Sequence, residues 1–136
     1  MNSKTWVEIN RKNLLHNLSE FKKRAGPAQV MAVVKANAYG HGLKEVVSML
    51  KSHKSVMLGA DSLEEAFLAR SATPENEIMI LGYIPQENIT LAIKNGFHVS
   101  LYDKETIFFV NKLLKSGAIK IRQLRAHLKI ETGTNR

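Results

Sequence analysis

The sequence contains no cysteine, which excludes a disulfide framework, a thiolate zinc site and a cysteine nucleophile. No other residue set reads as metal-ligating, so no metal is expected. No uninterrupted apolar run approaches the roughly 20 residues that span a bilayer. The opening Met1-Asn2-Ser3-Lys4-Thr5-Trp6 carries no apolar core of signal-peptide length. A cytoplasmic protein without a membrane partner is the expectation. The formal charge is +8, yet no nucleic-acid motif accompanies it. The basic residues are dispersed, and the one tight cluster, Lys22-Lys23-Arg24, falls at an expected helix C-terminus, where cations complement the dipole. A solvated basic surface, able to draw in an anionic ligand, explains the charge better than a nucleic-acid partner.

What is present suits a globular chain. The 136 residues, 44% hydrophobic and 24% charged, suffice for one domain with a core. Thr5-Trp6-Val7-Glu8-Ile9 alternates and reads as a short strand. Asn10 can cap the following helix, with Ile9 and Leu14 placed as a hydrophobic staple. Leu14, Leu15, Leu18 and Phe21 form one apolar helical face, and Gly26-Pro27 ends it.

A repeating pattern then begins. Strands are expected at about 29–36, 55–60, 77–81, 97–101 and 122–130. Between them lie helices marked by Leu43, Val46, Val47 and Leu50; by Leu63, Ala66 and Phe67 behind a Ser62/Glu65 capping box; by Ile89, Ala92 and Ile93, ended at Asn95-Gly96; and by Ile107, Val110 and Leu114, capped by Asp103 and closed by Gly117. Such alternation means βα units and a parallel α/β sheet. Five units could make a small doubly wound domain of the flavodoxin type. However, no helix follows the fifth strand, and the leading strand and helix do not fit that plan. The first five or so units of a parallel (β/α)₈ TIM-type barrel, preceded by a short strand and helix, fit better. A closed barrel takes about 250 residues, so the chain reads as part of one.

Chemistry concentrates after the first strand of the repeat. The run Val30–Val34 leads into Lys35 and then a glycine-bearing turn. A lysine at the carboxyl end of a barrel strand projects where these folds keep their active sites. Burial lowers its pKa, and a neutral amine can condense with a carbonyl. Local pattern alone also accommodates an edge-strand lysine snorkelling to water. The full stretch Val33-Val34-Lys35-Ala36-Asn37-Ala38-Tyr39-Gly40-His41-Gly42 closely resembles the pyridoxal-phosphate attachment motif of alanine racemases. The resemblance makes Lys35 the cofactor lysine and catalytic base, and Tyr39 a ligand of the cofactor phosphate. It gives His41 no acid/base role, and His41 reads as a turn residue. Glu64-Glu65 and Glu75/Glu77 read as capping and solvated groups rather than a carboxylate pair.

The last strand sets Leu124, Ala126, Leu128 and Ile130 on one face and Arg125, His127 and Lys129 on the other. A half-exposed antiparallel strand gives the same alternation. In a barrel, three basic groups facing the lumen need an anion among them. The tail His127-Leu128-Lys129-Ile130-Glu131-Thr132-Gly133-Thr134-Asn135-Arg136 again resembles alanine racemase. There the lysine matching Lys129 is often carbamylated, and the arginine matching Arg136 binds cofactor and substrate carboxylate. Glu131 and Thr134-Asn135 depart from the family's commoner aspartate and Met-containing pair.

The resemblance spans residues 1–136 as the N-terminal portion of a barrel domain. It implies pyridoxal 5'-phosphate as cofactor, interconversion of L- and D-alanine for peptidoglycan synthesis, and a homodimer whose partner subunit supplies a tyrosine as second base. The rest of the barrel and a C-terminal β-domain would lie beyond Arg136, so this chain alone is expected to be inactive. A non-catalytic pyridoxal-phosphate carrier barrel and a barrel decarboxylase of basic amino acids are the related alternatives, and a serine-directed racemase stays open.

Overall fold

The structure, a computed structural model, describes residues 4–133. Helix α1 (Arg11–Ala25) opens at Asn10, whose side chain accepts the Asn13 N–H at 3.0 Å, and closes at Gly26, φ 58°. It is followed by β1 (Met31–Val33), a short turn of helix α2 (Lys35–Tyr39), α3 (Leu43–Leu50), β2 (Met57–Ala60), α4 (Leu63–Ala72), β3 (Ile78–Ile80) and α5 (Gln86–Lys94). Strand β4 (His98–Leu101), α6 (Lys104–Lys115), a 3₁₀ turn (Ile121–Gln123) and β5 (Ala126–Leu128) complete the described chain.

The five strands pair in parallel in the order β1-β2-β3-β4-β5. Right-handed crossovers in a sheet whose order never reverses put every crossover helix on the same face. A doubly wound sheet needs a reversal and carries helices on both faces, so the flavodoxin plan is excluded. Consecutive units of a (β/α)₈ barrel are what remains. Leu58, Ala60, Ile78, Ile80 and Val99 turn toward the helices and form the core with residues such as Val47, Leu50 and Ile93. Strand alternation sends Met31, Val33, Gly59, Met79 and His98 to the opposite face.

Several expectations are corrected. Thr5–Ile9 forms no strand: Trp6 and Val7 are exposed and no ladder partner lies beside them among the described residues. Alternation makes a strand only where a neighbour supplies backbone hydrogen bonds. On α1, Leu18 is buried and Leu14 and Leu15 pack against the core, but Phe21 is exposed, because it borders an open groove between α1 and β1. Strands β1 and β5 are shorter than expected, each giving way to a local turn. In the last case the Lys120 N–H donates to Gln123 Oε1 at 2.8 Å and builds the 3₁₀ turn.

One buried polar group ties two loops together. Asn76, 1% exposed, donates from Nδ2 to the carbonyls of His53 (3.0 Å) and Val56 (2.8 Å) and accepts the Thr73 hydroxyl at 2.6 Å. Its own carbonyl accepts Arg70 NH1 at 2.9 Å. The loop before β2 is thereby pinned to the loop before β3. Asn76→Ala keeps the backbone carbonyl that holds Arg70 but strands the Thr73 hydroxyl and the His53 and Val56 carbonyls, at about 1–3 kcal/mol for each buried group left unpaired. Urea denaturation is expected to show a loss of about 3 kcal/mol, whereas exposed Glu75→Ala stays within about 0.5 kcal/mol.

Candidate active site

Strand β1 hands its chain to an unusual turn. The Val34 N–H makes the last ladder bond, to the Gly59 carbonyl at 2.8 Å. Ala36, Asn37, Ala38 and Tyr39 then take φ between 51° and 54°, one turn of left-handed helix. L-residues pay about 1–2 kcal/mol each for this conformation. The turn is held from inside by Ala38 N–H to Val34 O (2.8 Å) and Gly42 N–H to Asn37 O (2.9 Å). The Asn37 side chain caps α3 by accepting the Leu43 N–H at 2.9 Å. Gly40 and Gly42, φ 90° and 91°, carry the chain out again. The expected strand through Ala36 therefore stops short, and Lys35 stands at the mouth of this turn.

Alternation puts Lys35 on the same face as Val33, away from the helices, and Asp61 on the same face as Gly59. Val33 pairs with Gly59, so two residues on, the Lys35 ammonium meets the Asp61 carboxylate, Nζ to Oδ1 3.3 Å. The lysine side chain is 29% exposed, reachable from solvent but leaning on protein. Gly59 lets the neighbours close over β2: a Cβ there would stand 2.9 Å from Leu81 Cδ1 and 3.0 Å from Met31 Sδ. Gly82 is required for another reason, because a Cβ would collide with the backbone oxygen of Asp61.

Glu65 makes only half of the expected capping box. Its N–H donates to Ser62 Oγ at 3.2 Å, as expected. Its carboxylate, however, accepts the Ala36 N–H on Oε1 and the Asp61 N–H on Oε2, both at 2.8 Å. Neither Asp61 nor this reach of Glu65 was foreseen. Asp61 could have been found from the strand register, had the register been legible.

The other expected site residues are less closely gathered. Tyr39 ends the left-handed turn with its ring exposed. Lys129 donates its backbone N–H to the Leu101 carbonyl at 2.8 Å and extends its ammonium over the Tyr102 ring, 5.8 Å from the centroid. Tyr102 in turn lies 6.4 Å from Tyr83. Burial, then the nearby Asp103 and Tyr83, raise the Tyr102 phenol above its ordinary pKa. Lys35 and Lys129 thus mark the carboxyl ends of the two outer strands, with three strands between them. Arg136, like Thr134 and Asn135, lies outside the described residues. No trio of metal-ligating side chains is gathered among those described, nor is any helix among them long and apolar enough to cross a membrane.

The anion expected among the basic residues of β5 is Glu77, at the opposite end of the sheet. It is not merely a solvated group. Its Oε1 accepts Arg125 NH1 at 3.0 Å and its Oε2 accepts Gln29 Nε2 at 3.2 Å. The Gln29 hydrogen bond, with help from His98 and Arg125, holds its carboxyl below the usual range despite partial burial. Beside it, His98 Nδ1 meets His127 Nε2 at 2.9 Å. Such a contact needs one donor and one acceptor, so double protonation breaks it. Burial first, then the charges of His127 and Arg125, lower the His98 pKa against the pull of Glu77. The unfolded chain therefore takes up this proton more readily than the folded one. Stability is expected to be fully present above pH 6.5 and to decline as pH falls through the lower folded value; pH-dependent urea titrations check this, and His98→Gln should flatten the slope.

The strain in the left-handed turn is also measurable. Ala36 is exposed, so Ala36→Gly loses no burial. Relief of the Cβ clash and the added freedom of the unfolded chain should cancel to within about 1 kcal/mol. Ala36→Val places a β-branched residue at positive φ and should lower stability by about 2 kcal/mol in the same denaturation assay.

The comparisons with known proteins are consistent along the whole chain. The family described as "Alanine racemase, N-terminal domain" matches residues 9–136. The alanine racemase of Helicobacter pylori strain P12 is 37% identical over 134 residues, which is 97% of this chain and 34% of that protein. That of Fusobacterium nucleatum is 34% identical, covering 98% of this chain and 36% of the relative. The solved alanine racemase of Clostridium difficile 630 superposes on 100% of this chain with a TM-score of 0.85 at 34% identity, using 35% of its own length. A histidine racemase from Leuconostoc mesenteroides superposes on 93% of this chain, and 33% of its own, with a TM-score of 0.79 at 28% identity. The chain spans about a third of the length of these relatives. It belongs to the alanine racemase N-terminal domain family, and its five strands are barrel strands of that family.

Proposed function

We propose that this chain supplies the lysine-bearing part of a pyridoxal-phosphate-dependent isomerase that interconverts L- and D-alanine, providing D-alanine for peptidoglycan. The observation that carries the reading is the presentation of Lys35. Its amine leaves the carboxyl end of a barrel strand, on the face away from the helices, beside Asp61 and behind a strained turn. Strain of this kind persists where the surroundings over-determine it, and functional sites are where it gathers.

The residues present fit one end of the cofactor. Lys35 offers an amine reachable from solvent, and Val33 and Leu81 close over Gly59 as an apolar floor. Tyr39, its ring exposed, offers a hydroxyl to a phosphate. When bound, pyridoxal phosphate supplies an aldehyde for amines and a ring that withdraws electrons from the substrate Cα. Lys35 Nζ would hold the cofactor in the resting state and would take or return a proton on one face of Cα. Asp61 accepts from that amine and fixes its direction.

Inversion needs a second base on the opposite face, since one base alone returns the proton where it left. That base is proposed to be a tyrosine of the partner subunit in a homodimer, outside this chain. Arg136 is proposed to bind the substrate carboxylate. Lys129 is proposed to steady Arg136 as a carbamate, exchanging its present cationic contact with Tyr102 for a negative charge. Residues 1–136 are proposed to be the N-terminal portion of the barrel domain and to act in the cytoplasm. Likeness to a histidine racemase supports a second reading, in which the same lysine serves an amino acid other than alanine.

Borohydride reduction of the chain mixed with pyridoxal phosphate, followed by peptide mapping, tests the assignment. Lys35 is expected to carry the adduct in preference to the other lysines, and Lys35→Ala to abolish it. Labelling spread evenly over surface lysines would sink the reading. The chain by itself is expected to show no alanine racemisation in a coupled D-alanine assay.

A further inference from the structure

Two backbone amides converge on one carboxylate that has no place in the reaction described above. Glu65, in the first turn of α4, accepts the Ala36 N–H with one oxygen and the Asp61 N–H with the other. These two amides belong to the residue after Lys35 and to the acid that Lys35 contacts. Both bonds are short and charge-assisted, the stronger kind. The Ser62 hydroxyl holds the Glu65 amide from below, and the positive end of α4 favours the negative charge. The Ala36 amide stands where a left-handed turn begins, so no regular ladder partner is available to it.

We propose that Glu65 is a positioning residue: its carboxylate clamps the ends of β1 and β2 together and thereby sets where the Lys35 amine stands. The inference rests on the reading of Lys35 as the cofactor-binding amine. Two facing N–H donors require two acceptor oxygens. A glutamine in this place would satisfy one donor and turn an NH₂ group toward the other. An alanine would satisfy neither. The turn's own hydrogen bonds would remain in both cases, so the fold should survive while the amine loses its fixed place.

The test compares Glu65→Gln and Glu65→Ala with the unaltered chain and with Glu64→Ala, which removes an exposed first-turn carboxylate but not the clamp. Two quantities are read. One is the rate of borohydride-trapped pyridoxal-phosphate labelling at Lys35 relative to exposed Lys44. The other is amide hydrogen exchange at Ala36 and Asp61. Glu65→Ala is expected to lower the labelling ratio by about tenfold, the scale of a small misplacement of a reacting group. Exchange at both amides should quicken by about tenfold or more, as loss of a hydrogen bond to a charged group implies. Glu65→Gln should fall between, and Glu64→Ala should match the parent in both readouts. Faster exchange with an unchanged labelling ratio would overturn the proposal, leaving Glu65 a structural cap. Unchanged exchange would overturn it as well. If the parent chain shows no preference for Lys35 at all, the cofactor reading fails first, and that outcome is distinct from either of the others.

Discussion

Four successive L-residues at positive φ dominate the energetics of this site. At about 1–2 kcal/mol each the turn cannot be a local preference of the chain. It has to be imposed by its surroundings. Strand β1 delivers the backbone through the Val34–Gly59 ladder bond, the Asn37 side chain fastens the far end to α3, and Glu65 holds the near end against β2. Ala38 is buried inside the turn, which adds packing to the hydrogen bonds. What is gained is direction. The left-handed turn leaves the lysine at the rim of the sheet, with the backbone held by the Val34 ladder bond on one side and by the Glu65 carboxylate on the other.

The sheet decides which side that rim faces. Sequential parallel pairing with right-handed crossovers sends all helices one way and leaves the other face to side chains alone. That face is graded along the strands. At the amino ends lie Gln29, Glu77, His98 and Arg125, joined through His98 to His127 in the middle of β5. In the middle stand Gly59 and Met79, paired across β2 and β3. At the carboxyl ends come Lys35, Asp61 and Lys129. In the amino-end network Glu77 pairs with Arg125 and the two histidine rings meet within hydrogen-bond distance. The carboxyl-end groups are less completely matched, with Lys129 resting on a ring and Lys35 on one carboxylate. Unmatched charge at the carboxyl ends of barrel strands is what ligand chemistry on this fold uses.

Much of this was legible from the chain alone. The helices and strands followed from periodicity, and three of the caps, at Asn10, Ser62 and Asp103, were placed on the residues that make them. These are interactions within three residues, where sequence distance and spatial distance coincide. Element order favours a barrel over a doubly wound sheet, and the strand order agrees with it. The failures have one cause. Thr5–Ile9 alternates like a strand but has no partner beside it, and Phe21 sits on an apolar face with nothing covering it. Glu65 and Glu77 look like local or solvated carboxylates because Ala36 and Arg125, which bind them, lie 29 and 48 residues away. The left-handed turn was half visible in Asn37, Gly40 and Gly42, which tolerate positive φ. Ala36, Ala38 and Tyr39 gave no such sign, because their conformation is set by tertiary contacts and not by propensity.

Glu65 and Glu77 show how far a local explanation can be correct and still incomplete. A first-turn glutamate fits a capping box, and the Ser62 half of that box is present. Yet the reciprocal half is missing, since the carboxylate turns to Ala36 and Asp61. A carboxylate has more acceptor capacity than a cap consumes, and a half-buried one must spend the remainder somewhere. In a parallel sheet the place nearest to a helix N-terminus is the carboxyl end of the strand before it and of that strand's neighbour. The capping position after β2 is therefore also the position from which an acid can reach the residue following Lys35. The requirement to satisfy polar groups and the requirement to steady a reactive amine meet at one side chain, for reasons of βα geometry that hold at any barrel strand bearing its chemistry one residue past the ladder.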